Sequence, residues 1–123
     1  MTSKDILNRA ATSIEKHGLA RGKAYDKENN CFCLGAALVE ASYSNGRFQD
    51  KEYGIARNLL CGNLGISSSY DAMADWNDDS FVTKKGQQIY KHNPTDAVKA
   101  LRAAATLSEE LKLPTKKNVS QSK

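Results

Sequence analysis

Apolar residues recur at helical spacing along most of the chain. Ile6, Leu7, Ala10 and Ile14 mark the first stretch. With Ser3 as N-cap and Gly18 as the C′ glycine after Lys16 and His17, they predict a first helix between the two, its end closed by Leu19. Leu34, Leu38 and Ala41 share one face of a second helix, from about Cys33 to Tyr43 and ending near Asn45-Gly46. Gly35 and Ala37 permit close approach there, and Glu40 is its single charge, which predicts a central helix buried on most sides. Tyr53, Ala56, Leu59 and Leu60 predict a third helix over about Asp50–Cys61, ended by Gly62. Leu64 and Ile66 follow as apolar plugs in a connector. Ser67-Ser68-Ser69 then reads as a cap for a short helix, Tyr70–Trp76, with Met73 and Trp76 one turn apart. Pro94-Thr95-Asp96 opens the last helix, with Thr95 as N-cap and Asp96 in the first turn. Val98, Leu101, Ala104, Ala105, Ser108 and Leu111 mark its apolar face as far as Leu113-Pro114.

Two stretches lack this period. Asp26-Lys27-Glu28-Asn29-Asn30 is a turn cluster between Lys23-Ala24-Tyr25 and Cys31-Phe32-Cys33, which fit two very short paired strands. Phe81-Val82-Thr83 and Gln88-Ile89-Tyr90 flank Lys84-Lys85-Gly86 and fit either a small hairpin or a loop. The fold class that follows is mainly α: a compact bundle of four to five helices, with room for a very short β-hairpin. A single helical domain is expected over residues 1–113, with a disordered basic tail over 114–123.

The length of 123 residues fits one domain. The net charge of +4 invites a nucleic-acid reading until it is placed along the chain. Residues 1–111 hold 14 Lys/Arg against 14 Asp/Glu, and the surplus comes from Lys112, Lys116, Lys117 and Lys123. The globular part is therefore neutral. The apolar run Leu34–Val39 is far shorter than the ~20 residues that span a bilayer. Residues 1–9 are too polar for a secretory signal, so a cytoplasmic protein is expected. Cys31, Cys33 and Cys61 make an odd count, for which reduced thiols rather than a disulfide framework are expected.

Few residues offer chemistry. Cys31-Phe32-Cys33 has one intervening residue where zinc knuckles use two to four, and Cys61, His17 and His92 are isolated. Cys33 near a helix N-terminus is a candidate nucleophile, but no histidine is placed beside it by sequence. Asp75, Asn77 and Asp79 match the first ligand positions of a calcium-binding EF-hand loop. Ser80 then stands where glycine is needed, and Gly86 where a bidentate Glu is needed. No phosphate-binding glycine motif is present. Neither catalytic nor cofactor nor metal residues are assigned.

Cys33-Leu34-Gly35-Ala36-Ala37-Leu38, then Trp76-Asn77-Asp78, then Thr95-Asp96-Ala97-Val98 with Leu101 and Ala104-Ala105 resembles an uncharacterised family of small actinobacterial and phage proteins. That family has a first amphipathic helix, a Cys-x-Leu-Gly-Ala-type second helix, a Trp-Asn-Asp segment and a closing helix introduced by Thr. The likeness covers about residues 4–107. The stretch Asp79–His92 is longer and more basic than the family pattern, and the lysine tail is extra. The resemblance implies a fold and a phage or mobile-element setting, and transfers no catalytic residue.

The function expected is that of a small non-enzymatic interaction protein binding a host or phage macromolecule, most simply a protein partner. Tyr70, Trp76, Asn77, Asp78, Lys84 and Lys85 are the candidate interaction residues. The plainer reading of Trp76 is core filler, with Asn77 or Asp78 capping a helix end. One alternative is an accessory nucleic-acid binder with weak, nonspecific contacts through Lys84, Lys85, Lys91 and the lysine tail. Another is a small-ligand site or enzyme centred near Cys33, Trp76 and Asp78. No membrane partner is expected.

Overall fold

The computed structural model describes the backbone of residues 1–121 and the side chains of residues 1–109. Helix α1 spans Ser3–His17, and its cap is Thr2 rather than Ser3. The Thr2 hydroxyl accepts from the Asp5 N–H at 3.2 Å while the Asp5 carboxylate accepts from the Thr2 N–H at 2.9 Å. This reciprocal box satisfies two otherwise orphaned donors. Ser3 is thereby freed to turn inward, where its hydroxyl meets that of Ser108 at 2.8 Å and its N–H donates to Glu52.

After α1 come β1 (Tyr25–Asp26) and β2 (Cys31–Phe32), paired antiparallel. The Asp26 carboxylate accepts the Glu28 and Asn29 N–H groups and so folds the turn between them. Helix α2 spans Leu34–Ala41. It stops short of the expected Tyr43 because β3 (Tyr43–Ser44) and β4 (Arg47–Phe48) form a second hairpin, which the sequence reading missed. Asn45 and Gly46 both take positive φ there, the backbone a two-residue hairpin turn requires. Helix α3 spans Asp50–Leu64. It runs through Gly62, the expected stop, and ends at Gly65, whose φ of 72° and left-handed backbone close the helix.

Helix α4 spans Tyr70–Asp78, capped by the Ser69 hydroxyl on the Ala72 N–H. A third hairpin follows, β5 (Ser80–Val82) and β6 (Gln88–Tyr90), resolving residues 79–93 in favour of strands. Helix α5 is assigned Pro94–Gln121 and is capped by Asn93 rather than Thr95. Asn93 Oδ1 accepts the Asp96 N–H, and the Asp96 carboxylate accepts the Asn93 N–H. The assigned helix passes Leu113-Pro114, where the sequence reading ends it. The side chains of the expected tail lie outside the described residues, and Ser122 and Lys123 lie outside them altogether.

The architecture is mainly α, five helices with three separate two-stranded hairpins among the described residues. Helix α1 is its hub, packing on α5, α2 and α3. The sequence reading gave that place to α2, which packs chiefly on α1 and α4. The amphipathic stripe of α1 explains the difference. Ile6, Leu7, Ala10, Ala11 and Ile14 are all buried, against Leu34, Leu38, Leu60, Met73 and Leu101 from the other four helices. Alanines 97, 100, 104 and 105 of α5 let α1 approach closely, and Arg102 fastens the two helices by bonding Asn8 and Glu15.

Candidate functional site

The Trp-Asn-Asp segment ends α4 and lies within a connected group of polar contacts. Asn77 is fully buried. Its Oδ1 accepts the Leu34 N–H at 2.9 Å, and its Nδ2 donates to the Ala20 carbonyl at 2.8 Å and to Asp78 Oδ1 at 2.9 Å. Asp78 Oδ1 also accepts the Gly22 N–H at 2.9 Å. Arg21 reaches across from the same loop, donating to the main-chain carbonyls of Asn77 and His92 and lying 4.4 Å above the centre of the Tyr90 ring. Partial burial pushes the Arg21 guanidinium below its ordinary value, though Asp78 works against this. Trp76 stacks flat on His92, with ring centres 4.0 Å apart. Asp79 stands near both His92 (4.0 Å) and Lys91 (3.6 Å). One clasp thus joins the end of α4, the start of α2, the loop after α1 and the base of the β5–β6 hairpin.

A smaller polar group lies at the N-terminus of α2. The Cys33 thiol accepts the Ala36 N–H at 3.4 Å and shares a 3.6 Å hydrogen bond with the Tyr70 hydroxyl. Burial, followed by the bond to Cys33, pushes the Tyr70 hydroxyl up to about 12. Burial raises the Cys31 and Cys61 thiols as well, and all three cysteines are buried and free. Among the described residues no group of three or more His, Cys, Asp and Glu side chains is arranged to hold a metal ion. A shallow cavity beside Trp76 is lined by Ile66, Ser67, Ala72, Asp75, Trp76 and Asp79, so Cys33 and Asp78 do not contribute to it.

The candidate residues therefore fall into two sets. Tyr70, Trp76, Asn77 and Asp78 contact other parts of the chain, and Asn77 caps α2 from a distance of 43 residues. Lys84 and Lys85 stand apart from them on the β5–β6 turn, exposed and without ion pairs among the described residues. Sequence reasoning missed Arg21 and His92, which complete the clasp. A lone Arg beside Gly22 and a lone His before Asn93 carry no local pattern. It also passed over Phe81 and Val82 as surface residues, although they are 50% and 68% exposed, the highest values among the large apolar side chains of the described residues.

These features define a small helical protein in which the Trp-Asn-Asp segment links α4 to α2, to the loop after α1 and to the β5–β6 hairpin. Residues 1–107 match the model of a family of unknown function (DUF6197), and the chain belongs to that family. No curated protein and no solved structure matches it.

Proposed function

We propose that this is a small non-enzymatic interaction protein that binds a partner protein through the β5–β6 hairpin. The observation that carries this reading is the pairing of exposed Phe81 and Val82 with Lys84 and Lys85 on one short projection. Large apolar side chains gain little for folding at such exposure, and exposed apolar residues beside charged ones are typical of a contact surface. The engagement of Asn77, Asp78 and Arg21 within the clasp supports the non-enzymatic part of the proposal, because their polar atoms already have partners. A host or phage partner and a phage or mobile-element setting belong to the same proposal, supported by the resemblance of the motifs. Three free cysteines support a reducing, cytoplasmic location.

The nucleic-acid reading keeps one observation in its favour: Ser80–Asn93 holds Lys84, Lys85 and Lys91 and no acidic residue. Against it, Lys91 is paired with Asp79, and Asp71 and Asp75 are exposed on the neighbouring α4. The test is capture of partners from the native host with the wild type and with a Phe81→Ser/Val82→Ser variant. The proposal expects a specific protein, recovered by the wild type, lost with the variant and rebinding when purified. Binding to DNA or RNA at physiological salt, abolished by replacing Lys84, Lys85 and Lys91, would establish the nucleic-acid reading instead.

A further inference from the structure

The backbone of the hairpin suggests how such a partner is held. Lys91 N–H donates to the Asp79 carbonyl and Thr83 N–H to the Gln87 carbonyl, each at 2.8 Å. With Phe81 opposite Ile89, the alternation of an antiparallel ladder makes Phe81 and Ile89 the hydrogen-bonded pair between them. Ser80 and Val82 therefore turn their N–H and C=O groups outward, away from β6. Gln88 and Tyr90 do the same on the other side. The two edges differ in their surroundings. Arg21 lies against Tyr90 and bonds the His92 carbonyl just beyond it, whereas Val82 on β5 is 68% exposed.

We infer that the outer edge of β5 takes an extended, acidic segment of the partner protein as a third strand, an inference that rests on the interaction reading above. An open edge is a template for main-chain pairing, and a two-stranded hairpin gains stability when a third strand joins it. Phe81 and Val82 project to opposite faces, so apolar residues of an added strand meet one or the other in alternation. The charge of the segment follows from the turn. Ser80–Asn93 contains three lysines and no acid, and Lys84 and Lys85 have no ion pair among the described residues. Glutamate or aspartate beside the added strand supplies the missing counter-charge. A lipid surface fits less well. The leading edge of the projection, Thr83–Gln87, is wholly polar, and the apolar side chains sit behind it on opposite faces.

The experiment follows backbone amides by NMR while a short blocked peptide of alternating glutamate and valine is added, with a lysine–valine peptide as control. The inference expects the Ser80 and Val82 amides to shift and gain exchange protection with the acidic peptide alone. Val82→Pro removes an N–H that the hairpin does not use and should weaken binding about tenfold. Gln88→Pro, its counterpart on the opposite edge, should leave binding intact. The inference is overturned if the acidic peptide fails to bind at millimolar concentration, or binds along Gln88 and Tyr90. It is equally overturned if the lysine peptide, an oligothymidylate or anionic vesicles bind as well as the acidic peptide. Binding that survives Val82→Pro but is lost in Phe81→Asp removes the edge-strand mode while keeping the hairpin as the contact surface, so the two readings fail separately.

Discussion

The side-chain carbonyl of Asn77 accepts the Leu34 N–H at 2.9 Å, so the last turn of α4 caps the first turn of α2. The same amide reaches the Ala20 carbonyl, and no solvent reaches either contact because Asn77 is fully buried. Asn77→Ala leaves a buried donor and a buried acceptor without partners, each costing about 1–3 kcal/mol. The expected loss is about 3 kcal/mol, read as a lower urea midpoint with an unchanged slope. A loss under about 1 kcal/mol would mean that water replaces the amide and that the clasp is ornamental to the fold.

The Thr2–Asp5 box gives an acid-sensitive contribution. Hydrogen bonds from Thr2, the backbone N–H first, hold the Asp5 carboxyl below its ordinary value. A depressed folded-state value means the stabilisation is present above the unfolded value, ~3.9, and is lost as pH falls through the folded one. Asp5→Ala should cost about 1 kcal/mol at neutral pH. Denaturation of variant and wild type should converge as the pH is taken below the carboxylate range. A gap that persists there assigns the cost to helix packing.

Tyr70 gives the opposite limb. Its folded value of about 12 lies above that of a free tyrosine, ~10. The folded state thus keeps its proton longer than the unfolded chain, and the associated stability is present at neutral pH and lost between those two values. A tyrosinate absorbance step near pH 12 should be visible in the wild type and absent from Tyr70→Phe. Cys33→Ala should move that step downward, because the thiol is the second contributor to the shift after burial.

Which of these features could be read from sequence depended on range. The stripes of α1, α3 and α5 are local, and Ile6, Leu60 and Leu101 are buried as their spacing predicts. Caps slipped by one or two residues because Thr2 and Ser3, and Asn93 and Thr95, are all capping residue types, and the reciprocal partners Asp5 and Asp96 decide between them. Gly62 is tolerated within α3 because an exposed helical glycine costs only about 1 kcal/mol. The β3–β4 hairpin was missed because its strands are two residues long, below any usable alternation. The clasp joins residues 43 to 71 positions apart, and no local pattern records that Asn77 meets Leu34 or that Arg21 meets His92.

Three glycines separate conformational cost from close packing. A Cβ on Gly54 or Gly62 in α3 would have no atom within 4 Å, so alanine there should stabilise by about 0.5–1 kcal/mol each through helix propensity. A Cβ on Gly35 would lie 3.0 Å from Tyr70 Cε2. Gly35→Ala should therefore forfeit that gain and displace the Tyr70 ring, and in Tyr70→Ala the gain should return. Thermal melts of these variants check the pattern, and equal stabilisation at all three sites would show that α4 yields freely.

The exposed hairpin residues are expected to behave unlike any of the above. Phe81 and Val82 contribute to no buried cluster among the described residues, so Phe81→Ser and Val82→Ser should change stability by no more than about 0.5 kcal/mol. Residues retained at the core exact a cost when made polar, whereas residues retained for a partner do not. The pair thus offers a comparison with Leu101→Ser, which buries a hydroxyl in place of a fully enclosed side chain and should cost several kcal/mol, about 3 or more. If Phe81→Ser destabilised the chain to a similar degree, the hairpin would be an anchored part of the fold and its role in binding would lose its main support. If it is neutral while partner capture is lost, the apolar surface of β5 is explained by binding alone.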